Sequence, residues 1–187
     1  MTERGPRPRP PGTKADDAIH EMIRVDHAGE YGAVRIYEGQ LAVLDARKDA
    51  SDTVAAIRRM AEQEQRHLRA FDALINARKV RPTALEPVWR VAGYALGAAT
   101  AMLGEKAAMA CTAAVEEVID EHYAGQIAKL GESDPVLKKT VEDFRADEIA
   151  HRDEALAHGA EGAPAYRLLS ETIKAGCRLA IVLSEKL

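Results

Sequence analysis

The chain is poor in aromatic side chains, which make up 4% of it, and its β-branched residues form few runs. Ala is abundant and apolar positions recur at helical spacing. The composition therefore argues against a β-rich domain and for an all-α one. Cysteine is scarce: Cys111 and Cys177 stand far apart, with no metal-binding or redox spacing. Both are expected to be reduced, buried thiols in a reducing compartment. A large excess of charge is also missing. The net charge of −4 gives no electrostatic footprint for nucleic acid. No uncharged apolar run reaches about 18 residues, which excludes a conventional membrane-spanning helix. The opening "MTERGPRPRPPGTK" has no apolar core, so it is not read as a secretory signal. It is too short, too Pro-rich and too aperiodic for an organelle-targeting peptide. Residues 1–15 are expected to be a disordered Pro/Arg-rich leader, and residues 16–187 a single domain of a size that can bury a substantial core.

Six helices are expected. Asp16 or Asp17 would cap the first, which reaches to about Arg47 with Ile19, Ile23, Val34, Tyr37, Leu41 and Leu44 inward. "KDASD" is a polar break. The second runs from Asp52 to Arg78 with Ile57, Met60, Leu68, Phe71 and Leu74 inward, and ends before the Pro-containing "RPTALEP". A third, Val88 to Leu103, is rich in small residues. Gly104 separates it from a fourth, Glu105 to Leu130. "GESDP" precedes a fifth, Pro135 to His158, and "GAEGAPA" a sixth, Tyr166 to Ser184.

Two apolar stripes are interrupted in the same way. Ile57, Met60, Glu64, His67, Phe71 repeats as Val141, Phe144, Glu148, His151, Ala155, so that a Glu-x-x-His pair replaces core residues at two helical turns. Each of these helices follows one with a single inward carboxylate, Glu30 on the Ile23–Val34–Tyr37 stripe and Glu116 on the Met109–Ala113–Ile119–Tyr123 stripe. Glu30 and Glu64 are 34 positions apart, and Glu116 and Glu148 are 32 apart. Four helices offering Glu, Glu-x-x-His, Glu and Glu-x-x-His form the dinuclear carboxylate centre of a ferritin-like bundle. Four carboxylates neutralise two divalent ions, two imidazoles add one nitrogen donor each, and a bridging pair can hold the ions about 3.5–4 Å apart. Mixed oxygen and nitrogen donors suit iron or manganese better than calcium. The ordinary reading, four satisfied buried glutamates, would leave like charges converging without a cation. Asp147 is placed to reach His67, and Gln63 to reach His151; otherwise both are polar residues at the bundle margin. Asp26, His27, His122 and Tyr123 lie near the ligand turns, either to tune the site or as hydrogen-bonded core residues.

"IRVDHAGEYGAVRIYEGQLAVL", "EQRHL", "RPTALEPVWRVAGYALGAATAMLGEKAAMACTAAVEE", "DEIAH" and "AGCRLAIVLSEKL" closely resemble the demethoxyubiquinone hydroxylase family, di-iron enzymes of ubiquinone biosynthesis in proteobacteria and mitochondria. The resemblance runs from about Asp17 to Leu187. It implies a ferritin-like four-helix bundle with two additional amphipathic or apolar helices, and two iron ions per chain. One iron would take Glu30, Glu64 and His67 with Glu148 bridging, and the other Glu116, Glu148 and His151 with Glu64 bridging. It further implies O2-dependent hydroxylation of the demethoxyubiquinol ring, with NADH as electron donor through the quinone. A lipid-presenting accessory protein is the partner it suggests, and a homo-oligomer is a separate expectation. The chemistry is carried by the metal centre, with no side-chain nucleophile. No GxGxxG is present, so NADH would have to bind in another way. The competing readings are a peroxidase, an iron-handling protein of the same architecture, and a non-enzymatic helical partner.

A lipid quinol implies a peripheral location on the cytoplasmic side of a bacterial inner membrane. The third helix is apolar, with Trp89 and Tyr94 as interfacial anchors, but at about 16 residues with Arg90 it is too short to span. On the sixth, the stripe Leu169, Ile173, Cys177, Ala180 is opposed by Arg167, Lys174 and Arg178, which could meet anionic headgroups. Alternatively, both helices pack on the bundle or form an oligomer contact, and Gly93-x-x-x-Gly97 would permit close helix packing.

Overall fold

A computed structural model describes residues 14–45 and 51–187. The described residues form six α-helices: α1 (Lys14–Leu44), α2 (Asp52–Arg78), α3 (Glu86–Met102), α4 (Glu105–Leu130), α5 (Pro135–Ala157) and α6 (Tyr166–Lys186). The expected leader falls almost wholly outside them, as does most of the "KDASD" break. One 3-10 turn, Ala160–Gly162, hides in the "GAEGAPA" segment that sequence alone reads as a loop.

The helix ends follow local chemistry. Ser51 caps α2 by accepting from the Val54 amide at 3.2 Å, and Asp134 caps α5 through the Leu137 amide at 3.0 Å, with Pro135 opening the helix. Gly104 separates α3 from α4 at φ 118, a conformation that needs glycine. Asp16 and Asp17 are not caps. Helix α1 begins at Lys14, and both carboxylates sit in its first turn, where the positive end of the helix dipole favours them.

Helices α1 and α2 make one antiparallel hairpin and α4 and α5 a second, together forming a ferritin-like four-helix bundle. Helix α3 crosses against α1, and α6 covers α4 and α1. The α1–α3 crossing is close because glycines leave no room for a side chain. A Cβ at Gly97 would stand 1.9 Å from the Ile36 carbonyl oxygen, and one at Gly39 would stand 2.2 Å from that of Tyr94. The small-residue motif of α3 is therefore used within the chain. Helix α4 is buried on every side from Ala107 to Glu116, as expected for a helix enclosed by its neighbours. Two apolar cores fill the two ends of the bundle. One holds Leu44, Ile57, Met60 and Met109, and the other holds Ile23, Phe71, Leu137 and Val141. The polar cluster lies between them.

Candidate metal centre

Each bundle helix brings one carboxylate to the interior: Glu30 from α1, Glu64 from α2, Glu116 from α4 and Glu148 from α5. One turn after Glu64 and Glu148 come His67 and His151. All six side chains are buried, with at most 1% of any residue exposed. They form two groups, Glu30–Glu64–His67–Glu148 and Glu64–Glu116–Glu148–His151. Within each group one donor atom per residue lies within 4.8 Å of all the others. Glu64 and Glu148 belong to both groups. The structure therefore brings together all six residues that the spacing singled out.

The donor atoms fit a cation. Glu30 Oε2, both oxygens of Glu64 and Glu148, Glu116 Oε2 and the Nδ1 atoms of His67 and His151 are buried without a hydrogen-bond partner. His67 Nδ1 lies 3.1 Å from Glu148 Oε1, and His151 Nδ1 lies 3.1 Å from Glu64 Oε1, but neither contact has hydrogen-bonding geometry. Buried charges left unpartnered in this way cost on the order of several kcal/mol each. A divalent ion in each group would supply the missing partner. Without metal, protons do part of this work. Burial pushes Glu148 up to about 7, with His67 pulling the other way. Burial and the neighbouring Glu148 carboxylate hold Glu64 and Glu116 well above the usual carboxylate range. Burial pulls His67 down, but Glu148 and Glu30 outweigh it and take the imidazole up to about 12.

The surrounding contacts fix these donors. His67 Nε2 lies 3.1 Å from Asp147 Oδ2, and His151 Nε2 lies 3.0 Å from Gln63 Oε1. Both partners are acceptors there, so Nε2 carries the proton and Nδ1 is left for the cluster. Both contacts were expected from sequence. Tyr123 donates to Glu30. Its counterpart, Tyr37 donating to Glu116 at 2.9 Å, was assigned only to an apolar stripe. Each tyrosine follows its own helix's glutamate by seven residues and bonds the glutamate of the other hairpin, a repeat that could have revealed it. Burial and the nearby glutamates raise both phenols, which keeps them protonated donors. Asp26 accepts from Gln126 at 2.7 Å and contacts His122 at 3.0 Å. His27 turns instead to Asp72 at 3.0 Å, so it serves helix packing.

An apolar cavity of about 430 Å³ lies between α1, α3, α4 and α6, lined in part by the residues that directly precede Glu30 and Glu116. Gly29, Ala33, Leu96, Val115, Ile173 and Trp89 are among its walls. This revises three expectations about α3 and α6. Trp89 is half-buried, and its indole donates to Ser184 Oγ at 3.0 Å, so it ties α3 to α6 and is not a free interfacial anchor. Lys174 pairs with Glu117 at 2.7 Å and Arg178 with Glu121 at 3.0 Å, so two cations expected to meet headgroups are already engaged with α4. Cys111 is fully buried, whereas Cys177 is half-buried at the cavity wall. The outward side of the two helices is nonetheless apolar: Val91 and Met102 on α3, Leu103 just after it, and Leu168, Leu179 and Val182 on α6 are exposed. Among the described residues no helix is long and apolar enough to cross a membrane.

Comparison with known proteins places this geometry. The chain is 54% identical over 179 residues to a Rhodospirillum rubrum protein named 3-demethoxyubiquinol 3-hydroxylase, covering 95% of this chain and 83% of that one. It is 51% identical over 174 residues to the human NADPH-dependent 3-demethoxyubiquinone 3-hydroxylase, mitochondrial, covering 91% and 78%. A Saccharomyces cerevisiae 5-demethoxyubiquinone hydroxylase, mitochondrial, is 39% identical over 184 residues, covering 90% and 78%. The family model "Ubiquinone biosynthesis protein COQ7" matches residues 17–184, and the chain belongs to that family.

Proposed function

We infer that this chain is a 3-demethoxyubiquinol 3-hydroxylase, a monooxygenase that uses O2 to hydroxylate the quinol ring in ubiquinone biosynthesis. The observation that carries the reading is the juxtaposition of two Glu/His groups with an apolar cavity, in a chain 54% identical to a hydroxylase of that name. Glu30, Glu64, His67 and Glu148 would hold one iron and Glu64, Glu116, Glu148 and His151 the other, with Glu64 and Glu148 shared. The two irons would supply the redox chemistry with dioxygen.

The protein's own contribution is orientation and exclusion of water. Tyr37 and Tyr123 hold Glu116 and Glu30 by donating to them, and Asp147 and Gln63 hold the two imidazoles with Nδ1 inward. The cavity offers an apolar bed for a quinol and its isoprenoid tail. Gly29 and Val115 in its wall directly precede Glu30 and Glu116, so a ring seated there lies against the backbone that carries two of the donors. The reductant is a reduced nicotinamide that acts through the quinone. NADH was expected from the resemblance, whereas the human relative's name specifies NADPH.

The exposed apolar side chains of α3 and α6 would dock the protein on the cytoplasmic face of a bacterial inner membrane and open the cavity toward lipid. Self-association and a lipid-presenting accessory protein would use the same faces. The reading is tested by loading the full chain with iron anaerobically, then adding demethoxyubiquinol, NADH or NADPH, and isotopically labelled dioxygen. The quinone product should gain one labelled oxygen atom. Oxygen or peroxide consumption without that gain would favour a peroxidase or iron-handling role.

A further inference from the structure

The two halves of the centre repeat each other helix by helix, yet they differ at several positions, two of which bear on the imidazoles and tyrosines. Residues 64 and 67 recur as 148 and 151, both Glu and His, but residue 63 is Gln where 147 is Asp, and residue 60 is Met where 144 is Phe. The exchange is crossed between the hairpins. Asp147 of α5 backs His67 of α2 at 3.1 Å, and Gln63 of α2 backs His151 of α5 at 3.0 Å. Phe144 stacks on the His67 ring with centroids 4.0 Å apart and planes 22° apart. Its counterpart Met60 instead places its sulfur 3.8 Å from the Tyr37 hydroxyl. The tyrosine contacts to Glu30 and Glu116 are matched and introduce no such difference.

An imidazole whose N–H meets a carboxylate is a stronger donor at its other nitrogen than one whose N–H meets a neutral amide, because the charge-assisted bond is about twice as strong. Asp147 also places a negative charge next to one metal position and not the other. A stacked ring loses less freedom on ligation, because its orientation is already set. We propose that the two metal positions are inequivalent: the position made with Glu30 and His67 takes the first divalent ion and the position made with Glu116 and His151 the second, with Asp147 as the positioning residue that sets this order. The proposal rests on the dinuclear reading above and deepens it.

The test uses the full chain and Mn2+ as the probe. Crystals of protein carrying one equivalent of Mn2+ should show anomalous density at the Glu30/His67 position, and a calorimetric titration should resolve a tight first step and a weaker second. Asp147→Asn keeps the hydrogen bond but removes the charge, and should weaken the first step about ten-fold while leaving the second unchanged. Gln63→Glu should tighten the second step toward the first, a gain that a merely structural role for residue 63 would not produce. Equal occupancy of the two positions at one equivalent, first occupancy at Glu116/His151, or an unchanged ratio of the two steps in both variants would overturn the proposal. Absence of any bound Mn2+ at the cluster in folded wild-type protein would overturn the metal reading itself.

Discussion

On α1, Glu30 and Tyr37 face the carboxylate cluster, whereas Gly29, Ala33 and Ile36 line the apolar cavity; on α4, Glu116 faces the cluster and Val115 the cavity. Neighbouring residues on the same helices thus serve opposite chemistries. The cluster side is buried, polar and short of partners. The cavity side is built of small and aliphatic groups, with Thr172 and Ser184 among its few hydroxyls. A helix can do this because consecutive side chains point about 100° apart, so one helix forms a wall between two compartments. The lesson is that binding of metal and binding of an apolar substrate should be separable by mutation, although the two sites share a wall.

The largest effect is expected from Glu148→Ala, which removes the residue common to both donor groups. Hydroxylation should become undetectable and both metals should be lost or bound far more weakly. Comparable iron content in the variant and the wild type would break the shared-ligand assignment. Glu30→Ala should harm mainly one position. From the other side of the wall, Gly176→Phe should fill the cavity without a backbone clash, since a Cβ at Gly176 meets nothing within 4 Å. The KM for a long-tailed quinol should rise about ten-fold or more while iron content stays unchanged, an effect of the size expected when a few buried methylenes of substrate lose their place. Iron loss in Gly176→Phe would show that the compartments are not independent.

A weaker effect is expected at the lipid-facing surface. Val91→Glu combined with Leu179→Glu alters two exposed side chains that touch neither the cluster nor the cavity wall. Flotation on vesicles containing anionic lipid should drop several-fold, with iron content and turnover of a short-tailed quinol preserved. Vesicle binding equal to wild type would remove these helices from the membrane account.

The smallest effect is a pH dependence confined to the cluster. In the metal-free fold Glu148 titrates at about 7, above its ordinary 4.5. Its contribution to stability is therefore full below about pH 4.5 and is lost as pH rises through about 7. Glu64 and Glu116 are shifted in the same direction. Metal replaces these protons, so the rise in Tm on metal addition should be larger at about pH 7.5 than at about pH 5. The opposite order would mean that the cluster does not exchange protons for metal.

Much of this site was legible in the sequence because a helix converts spacing directly into facing. Glu64 and His67, or Glu148 and His151, are one turn apart, and Gln63 and Asp147 immediately precede the glutamates, so their placement follows once four helices converge. The helix boundaries were legible for a similar reason, at Ser51, Gly104 and Pro135, where local chemistry decides. What was missed depends on packing between distant elements. Tyr37 sits on an apolar stripe, and nothing local shows that its hydroxyl meets Glu116 of another hairpin. Lys174 and Arg178 look like a free basic face until α6 is laid along α4 and meets Glu117 and Glu121. Trp89 looks like an interfacial anchor until Ser184, 95 residues away, is brought to its indole. Exposure of an amphipathic side chain is a property of the assembled fold, not of its own helix.

The central claim is that the buried Glu/His cluster is a dinuclear metal site. Its most direct test is the iron content of folded full-length protein after anaerobic reconstitution and removal of loosely bound metal. The account predicts a value approaching two irons per chain that falls when any of Glu30, Glu64, His67, Glu116, Glu148 or His151 is replaced by Ala. A value that stays at one or below in correctly folded wild type would contradict it.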